Sequence, residues 1–453
     1  MFAHTYGKRK RATILPPLPP KQSDQSLKEE EFWTAEEDPL LQCPFDEKQS
    51  KSLSFLELKF QFHPKRPNLT SSPFSTKNSK AFPLAFGPKE EARKFTLDPC
   101  ALQGTSTTLK PQLAPSSSLN ATGELERLLK CCNQTTPLAF EAFWNTFIKD
   151  QSVKKIGEAT FSEVFMLSDN STVLKIVPLA EIMPLAGPIT FMRLSDAFKE
   201  LKITKTLGSL PGFIQLGTVS VVQGFYPAPI LQAWDAWRLK EESFNTRPDS
   251  NVLECDQLFI VLGLEYGGED LEHFCKKEIS NEQRLSVIRQ IAGILGQAEE
   301  AFEFEHRDLH WGNVLVNPTL SPKVTFTLQG REIEVATEGI ECVLIDFSYS
   351  RISIAPSNGQ KAQVIYVDLN DDPELFAGDA DCDSQFRVYR AMKCETKSDW
   401  QGFHPRTNIL WLSQLLDKLT TPANRRSIST VRKQLASSDS AKSFLLNHFP
   451  ANQ

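Results

Sequence analysis

Apolar and polar positions in residues 121–453 fall into two rhythms, and each rhythm points to a kind of element. Residues 164–167 and 172–177 are strand-forming runs on either side of Ser168-Asp169-Asn170-Ser171, whose side chains favour turns, so an antiparallel hairpin is expected. Residues 197–207 read as a helix. Residues 257–264 read as a strand that stops at Glu265-Tyr266-Gly267-Gly268, where two glycines break regularity. Leu285, Ile288, Ala292, Leu295 and Phe302 recur at helical spacing across 281–304, which predicts an amphipathic helix with one face against a core. A second core helix is expected over 408–419. Val314-Leu315-Val316 reads as a strand, and the runs 324–327 and 332–335 around Gln329-Gly330 read as another hairpin. No internal repeat is visible.

The first 120 residues follow neither rhythm. They hold 14 of the 29 prolines and long Ser/Thr/Lys/Gln stretches, a composition that does not bury a core, so 1–120 is expected to be a largely disordered regulatory tail. Phe55-Leu56-Glu57-Leu58-Lys59-Phe60 is either a docking segment or chance apolar content. The basic cluster Lys8-Arg9-Lys10-Arg11 is either a nuclear import signal or a solvated charge run.

Composition narrows the classes further. The chain of 453 residues is 40% hydrophobic and 23% charged, which excludes a fibrous or wholly disordered protein. No stretch reaches the roughly 18 apolar residues of a membrane helix, and the N-terminus lacks the apolar core of a signal peptide, so an intracellular protein with no membrane partner is expected. Nine cysteines without a Cys-x-x-Cys pair suggest reduced, mostly buried thiols. Residues 1–120 carry 17 Lys+Arg against 13 Asp+Glu, leaving 33 against 43 for the rest, so the folded body is acidic. Such a body favours a basic partner and is not built for direct nucleic-acid readout.

The chemistry concentrates in a few segments. His306-Arg307-Asp308-Leu309-His310-Trp311-Gly312-Asn313 fits the H-R-D-x-x-x-x-N pattern of a protein-kinase catalytic loop, in which the aspartate takes the acceptor proton and the asparagine holds magnesium. Thirty-three residues on from Asn313, an apolar run delivers Asp346-Phe347-Ser348 in the place of the D-F-G metal ligand. Lys175 lies in Val173-Leu174-Lys175-Ile176, matching the strand whose lysine neutralises phosphates, and Glu200 in the next helix is its best ion-pair partner. The phosphate-covering loop runs from Ile156-Gly157 through Phe161 to Val164. It keeps only the first glycine of G-x-G-x-x-G, so a weakened nucleotide grip is expected because a Cβ excludes φ > 0.

These residues resemble the haspin family of atypical protein kinases. The likeness rests on the whole loop 306–313, above all Trp311-Gly312, and on Gly267-Gly268-Glu269-Asp270, Trp234-Asp235, Leu375-Phe376-Ala377-Gly378-Asp379, Tyr389-Arg390-Ala391-Met392-Lys393 and His404-Pro405. It implies an α+β, two-lobed kinase-like fold without an Ala-Pro-Glu activation segment, held active without loop phosphorylation. The small sheet-rich lobe is placed at about 150–263, the hinge at 264–268 and the helical lobe at 269–453. The resemblance implies ATP and Mg2+ as cofactors: Lys175, Glu200 and Asp308 catalytic, Asn313 and Asp346 on the metal, and Ile156, Gly157, Phe161, Val164, Glu265, Tyr266, Gly267, Gly268, Asp270, His310, Phe347 and Ser348 lining the nucleotide. It further implies a monomer on mitotic chromosomes in the nucleus. The substrate would be the histone H3 tail at its third-residue threonine, met by Asp270, His310, Asp379 and Asp381, and the N-terminal tail would meet a chromatin- or cohesin-associated partner.

Seven acids among residues 368–383, with no Lys or Arg between them, give a basic tail a physical reason to bind; a merely solvated loop is the bland alternative. Two other functions stay open: a small-molecule kinase of the aminoglycoside or choline type, and a chromatin-binding pseudokinase.

Overall fold

The computed structural model describes residues 118–449, apart from 149, 160–161, 184–186, 188, 242, 244, 356–360 and 381–382. The expected tail, its basic cluster and its apolar islands lie outside the described residues, except that a helix already begins at Ser118.

Helix α1 (Ser118–Cys131) leads through strand β1 (Leu138–Ala139) and helix α2 (Phe140–Phe143) into β2 (Val153–Ala159), β3 (Ser162–Leu167), β4 (Thr172–Ala180) and β5 (Met192–Arg193). Then come α3 (Leu194–Leu207), β6 (Leu216–Gln223), α4 (Ala228–Arg238) and β7 (Leu258–Glu265). The strands make one sheet in the order β1-β6-β7-β4-β3-β2, with β5 beside β4. The expected hairpin is β3–β4. Asp169 shapes its turn by accepting from the Ser171 and Thr172 N–H groups at 2.8 and 2.9 Å, with Asn170 at φ +53°.

Alternation on β7 explains the small lobe. Phe259 and Val261 bury on one face with Phe165, Ile176, Phe140 of α2 and Ile230 of α4; Ile260 and Leu262 bury on the other with Leu128 of α1 and Leu201 of α3. Residues 118–148 therefore belong to this lobe, ahead of the expected boundary at 150. Of these, the two-residue β1 and four-residue α2 carry no periodic signal of their own.

Beyond the hinge come β8 (Glu269–Asp270), α5 (Leu271–Cys275), α6 (Asn281–Phe302), β9 (Val314–Pro318), the hairpin β10 (Lys323–Leu328) and β11 (Arg331–Ala336), and β12 (Ile340–Leu344). They are followed by β13 (Ile352–Ile354), β14 (Gln363–Ile365), α7 (Glu374–Ala377), α8 (Gln385–Thr396), α9 (Arg406–Leu419), α10 (Arg425–Ala436) and α11 (Ala441–His448). The whole is a two-lobed α+β fold.

Helix α6 starts at a capping box between Ser280 and Gln283 and is buried nearly all round from Ser286 to Glu299, so the expectation of one packed face was too narrow. Its polar residues are interior because each is bonded there. Gln290 donates to Ile340 O at 2.9 Å and accepts from Cys342 N, while the Glu299 carboxylate accepts from Asn408 Nδ2 and from the N–H groups that open α11. At Gly293 a Cβ would stand 2.3 Å from the Phe326 ring, so glycine lets the β10–β11 hairpin close over the helix. Cys131, Cys132, Cys255, Cys275 and Cys342 are free thiols, but Cys255 is exposed and Cys394 is disulfide-bonded, which corrects the expectation of reduced, mostly buried cysteines. Among the described residues no helix is long and apolar enough to cross a membrane.

Candidate active site

Lys175 sits in mid-sheet on β4, opposite Val164 of β3 and Leu262 of β7, so its stem is fixed by ladders on both sides. Its Nζ donates to Glu200 Oε1 of α3 at 2.8 Å and stands 3.8 Å from Asp346 Oδ2. Ser348 joins the two carboxylates, its Oγ lying 2.6 Å from Asp346 Oδ1 and 3.0 Å from Glu200 Oε2. Lys175, Glu200, Ser348 and Asp346 thus form a ring. Burial by itself would lower the Lys175 pKa, but Asp346 and Glu200 outweigh it and raise it. Burial would likewise raise Asp346, whereas Lys175 and the two bonds from Ser348 hold it below the usual carboxylate range.

The catalytic-loop segment is anchored from beneath. His306 is fully buried, its backbone N–H donating to Asn408 Oδ1 at 3.1 Å and its Nε2 meeting Ile345 O at 3.1 Å; burial lowers its pKa to about 4, so the ring is neutral. Arg307 is also buried. It donates two 3.1 Å bonds to Glu305, which also accepts from His404 N and Thr407 Oγ1, and its guanidinium lies 5.4 Å from the Trp400 ring centre. Both Arg307 and Asp346 hold φ above +60°, a left-handed backbone that this web of bonds maintains.

Asn313 donates from Nδ2 to Asp308 O at 2.8 Å, and its own carbonyl accepts from Ile345 N at 3.1 Å, tying the loop to the segment that carries Asp346. With Nδ2 committed to Asp308 O, the Asn313 side chain keeps Oδ1 as a neutral oxygen ligand, and Asp346 adds a charged one. An oxygen pair of this kind suits a hard divalent cation that completes its shell with phosphate and water. No cluster of three or more His, Cys, Asp or Glu suited to a metal occurs among the described residues.

Asp308 accepts from the Tyr389 hydroxyl of α8 at 2.5 Å. Burial raises the Asp308 pKa, while His310 and the Tyr389 bond oppose the rise. His310 Nδ1 accepts from Gly312 N at 3.1 Å, which assigns the ring proton to Nε2. Sequence reasoning gave Tyr389 no role, because a tyrosine 81 residues from Asp308 offers no local signal. Glu305 sits two residues from Arg307, but its anchoring by His404 N and Thr407 Oγ1, 99 and 102 residues on, leaves no local signal either.

At the hinge, Glu265 and Tyr266 donate backbone N–H bonds to Gln215 O and Ser171 O. Gly268 is required: it sits at φ +106°, and a Cβ there would stand 2.2 Å from Val316 O. Gly157 has no such demand. Its Cβ would meet nothing nearer than 4.0 Å, and neither Ala159 nor Ser162 has positive φ, so the lost glycines leave no strain in the described part of this loop. Ile156 and Val164 lie on β2 and β3, and Phe347 is buried beside Phe304 and His306. Phe161 lies outside the described residues.

The expected substrate acids divide. Asp270 caps α5 and also receives the His273 ring at 2.7 Å, so its carboxylate is engaged within its own turn. Asp368, Asp371, Glu374 and Asp379 are exposed, and Asp381 lies outside the described residues. Tyr349 connects this acidic segment to the site, since after burial it is Asp372, Asp308 and Asp346 that raise its pKa.

Residues 112–443 match the family model described as haspin-like kinase domain. The chain is 38% identical over 308 residues to the serine/threonine-protein kinase haspin of Bos taurus, covering 66% of this chain and 38% of that protein. It is 34% identical over 340 residues to the haspin homolog of Arabidopsis thaliana, covering 71% and 54%, and 34% identical over 357 residues to that of Schizosaccharomyces pombe, covering 73% and 67%. It spans less than two thirds of the first two relatives' own length. By the match of its domain, the chain belongs to the haspin-like kinase family.

Proposed function

We propose that this chain transfers the γ-phosphate of ATP, as its magnesium complex, to a serine or threonine hydroxyl of a basic protein tail, with the third-residue threonine of the histone H3 N-terminus as substrate. The observation that carries this reading is the ring of Lys175, Glu200, Ser348 and Asp346 joined through Ile345 and Asn313 to Asp308. Phosphoryl transfer asks a protein for positioning and charge, and these residues supply both. Lys175 would hold the phosphates, with Glu200 fixing the ammonium; Asn313 and Asp346 would hold magnesium, which neutralises charge on the phosphate oxygens when bound. Asp308 would orient the acceptor hydroxyl and take its proton, with Oδ2 free of the Tyr389 bond. Arg307, engaged by Glu305, needs no phosphorylated loop residue to pair with, which favours a constitutively assembled site. The exposed carboxylates of 368–379 would attract the basic tail. With that substrate, the proposal places the chain at mitotic chromosomes in the nucleus, with the N-terminal tail binding a chromatin- or cohesin-associated partner.

The test is phosphate transfer from labelled ATP by the full chain to an H3 tail peptide, beside the same peptide with alanine at its third residue. Label in the intact peptide alone is expected. Label in neither, with ATP and magnesium still bound, would overturn the substrate; absence of nucleotide binding would leave a pseudokinase.

A further inference from the structure

The nucleotide roof of this protein poses a physical problem. Strands β2 and β3 form the two arms of the phosphate-covering loop, and their register sets Glu158 directly opposite Glu163. Like charges facing one another across a strand pair repel, and here they stand beside the loop end, where they would splay the arms. The loop has also lost two of the three glycines that let such a backbone settle onto phosphate.

The structure answers with a buried cation and an added segment. Lys155, 1% exposed, lies between the two glutamates, 2.7 Å from Glu158 Oε2 and hydrogen-bonded to Glu163. Its ammonium is covered by Trp234 and Trp237 of α4, at 5.2 and 5.7 Å from the ring centres. Both tryptophans belong to residues 224–257, the connection between β6 and β7. The same connection reaches the loop arms from its far side. Ser243 Oγ donates to Glu158 Oε2 at 2.8 Å, and Asn245 Nδ2 lies 3.2 Å from Glu163 Oε1 and 3.3 Å from Ala159 O. One segment therefore grips both arms, through side chains that have no other role in the site.

We infer that residues 224–257 are a clamp that holds the two arms of the nucleotide roof in their closed spacing, with Ser243 and Asn245 as positioning residues for ATP. The inference rests on the ATP reading above and deepens it. In a glycine-rich loop, closure onto phosphate costs the entropy of a mobile segment; in this loop the arms are ordered before nucleotide arrives, so less is lost on binding. The clamp in this way offsets the missing glycines.

The test is the double variant Ser243→Ala, Asn245→Ala in the full chain. It removes the Ser243 bond to Glu158 and the two Asn245 bonds described above, and leaves the Lys155 ion pairs and the tryptophan cover in place. The clamp predicts a KM for ATP raised about tenfold with the peptide KM and kcat unchanged. It also predicts faster amide exchange in Val153–Ala159 and Ser162–Leu167 of the nucleotide-free protein, with the melting temperature held. Asn245→Gln alone, which keeps a donor, should recover part of the ATP affinity. An unchanged ATP KM with unchanged exchange would overturn the clamp while a wild type that still uses ATP keeps the nucleotide reading; a wild type that binds no ATP would overturn that reading and the clamp's effect on ATP with it.

Discussion

On the phosphate side of the site, Lys175, Glu200, Ser348 and Asp346 bond one another and leave little to be arranged, whereas in the 368–379 segment Asp371 and Glu374 are exposed to solvent. Both regions are rich in acids, and they use them oppositely. Inside, each carboxylate is matched by a cation or a donor, so charge is fixed before any ligand arrives, the condition for electrostatic stabilisation without reorganisation. Outside, exposed acids such as Asp371 and Glu374 give the surface a negative field, which suits recognition and on-rate more than chemistry. On the proposed function, the phosphate side would be preorganised for nucleotide and the exposed acids would bias the choice of substrate.

Substitutions should separate the two regions. The largest effect is expected from Asp308→Asn, a loss in kcat on the order of 10³-fold with ATP binding kept, read by steady-state kinetics and calorimetry. Lys175→Met should cost about 10²-fold in kcat/KM for ATP, because Asp346 and Glu200 would then face each other without their cation. Tyr389→Phe should lower kcat about tenfold, one hydrogen bond's worth. Since the Tyr389 bond holds the Asp308 pKa down, removing it raises that pKa further, and the acidic limb of the kcat profile should move to higher pH. The smallest effect belongs outside: Asp371→Asn with Glu374→Gln should raise the KM for a basic peptide roughly threefold at low salt, fading as salt is added, with kcat unchanged. A large kcat loss from that last pair would break the division.

The two regions also differed in how far sequence could show them. Lys175, Asp308, Asn313 and Asp346 stood out because phosphoryl transfer needs those residue types at the ends of elements whose order along the chain is itself a signal. Glu200 followed from its place in the next helix. The helices α6 and α9 and the β10–β11 hairpin were legible because apolar spacing and a Gln-Gly turn are local facts. The hidden residues are those defined by contacts across long separations. Tyr389 reaches Asp308 over 81 residues and Asn245 reaches Glu163 over 82, while Glu305, the near neighbour of Arg307, is fixed in place by Thr407 of α9 from 102 residues away. The burial of α6 on nearly every side was hidden likewise, since Gln290 looks solvent-facing until Ile340 and Cys342 supply its bonds, and Gln297 until Pro211 does.

The central claim is that binding of nucleotide and transfer to the acceptor are carried by different residues of one preformed site. It is tested most directly by measuring, for the full chain and for Asp308→Asn side by side, magnesium–ATP affinity by calorimetry and labelled phosphate transfer to the H3 tail peptide. Equal affinities with transfer by the unsubstituted chain alone is the predicted result; transfer by Asp308→Asn at the unsubstituted rate, or loss of ATP affinity together with transfer, would contradict the account.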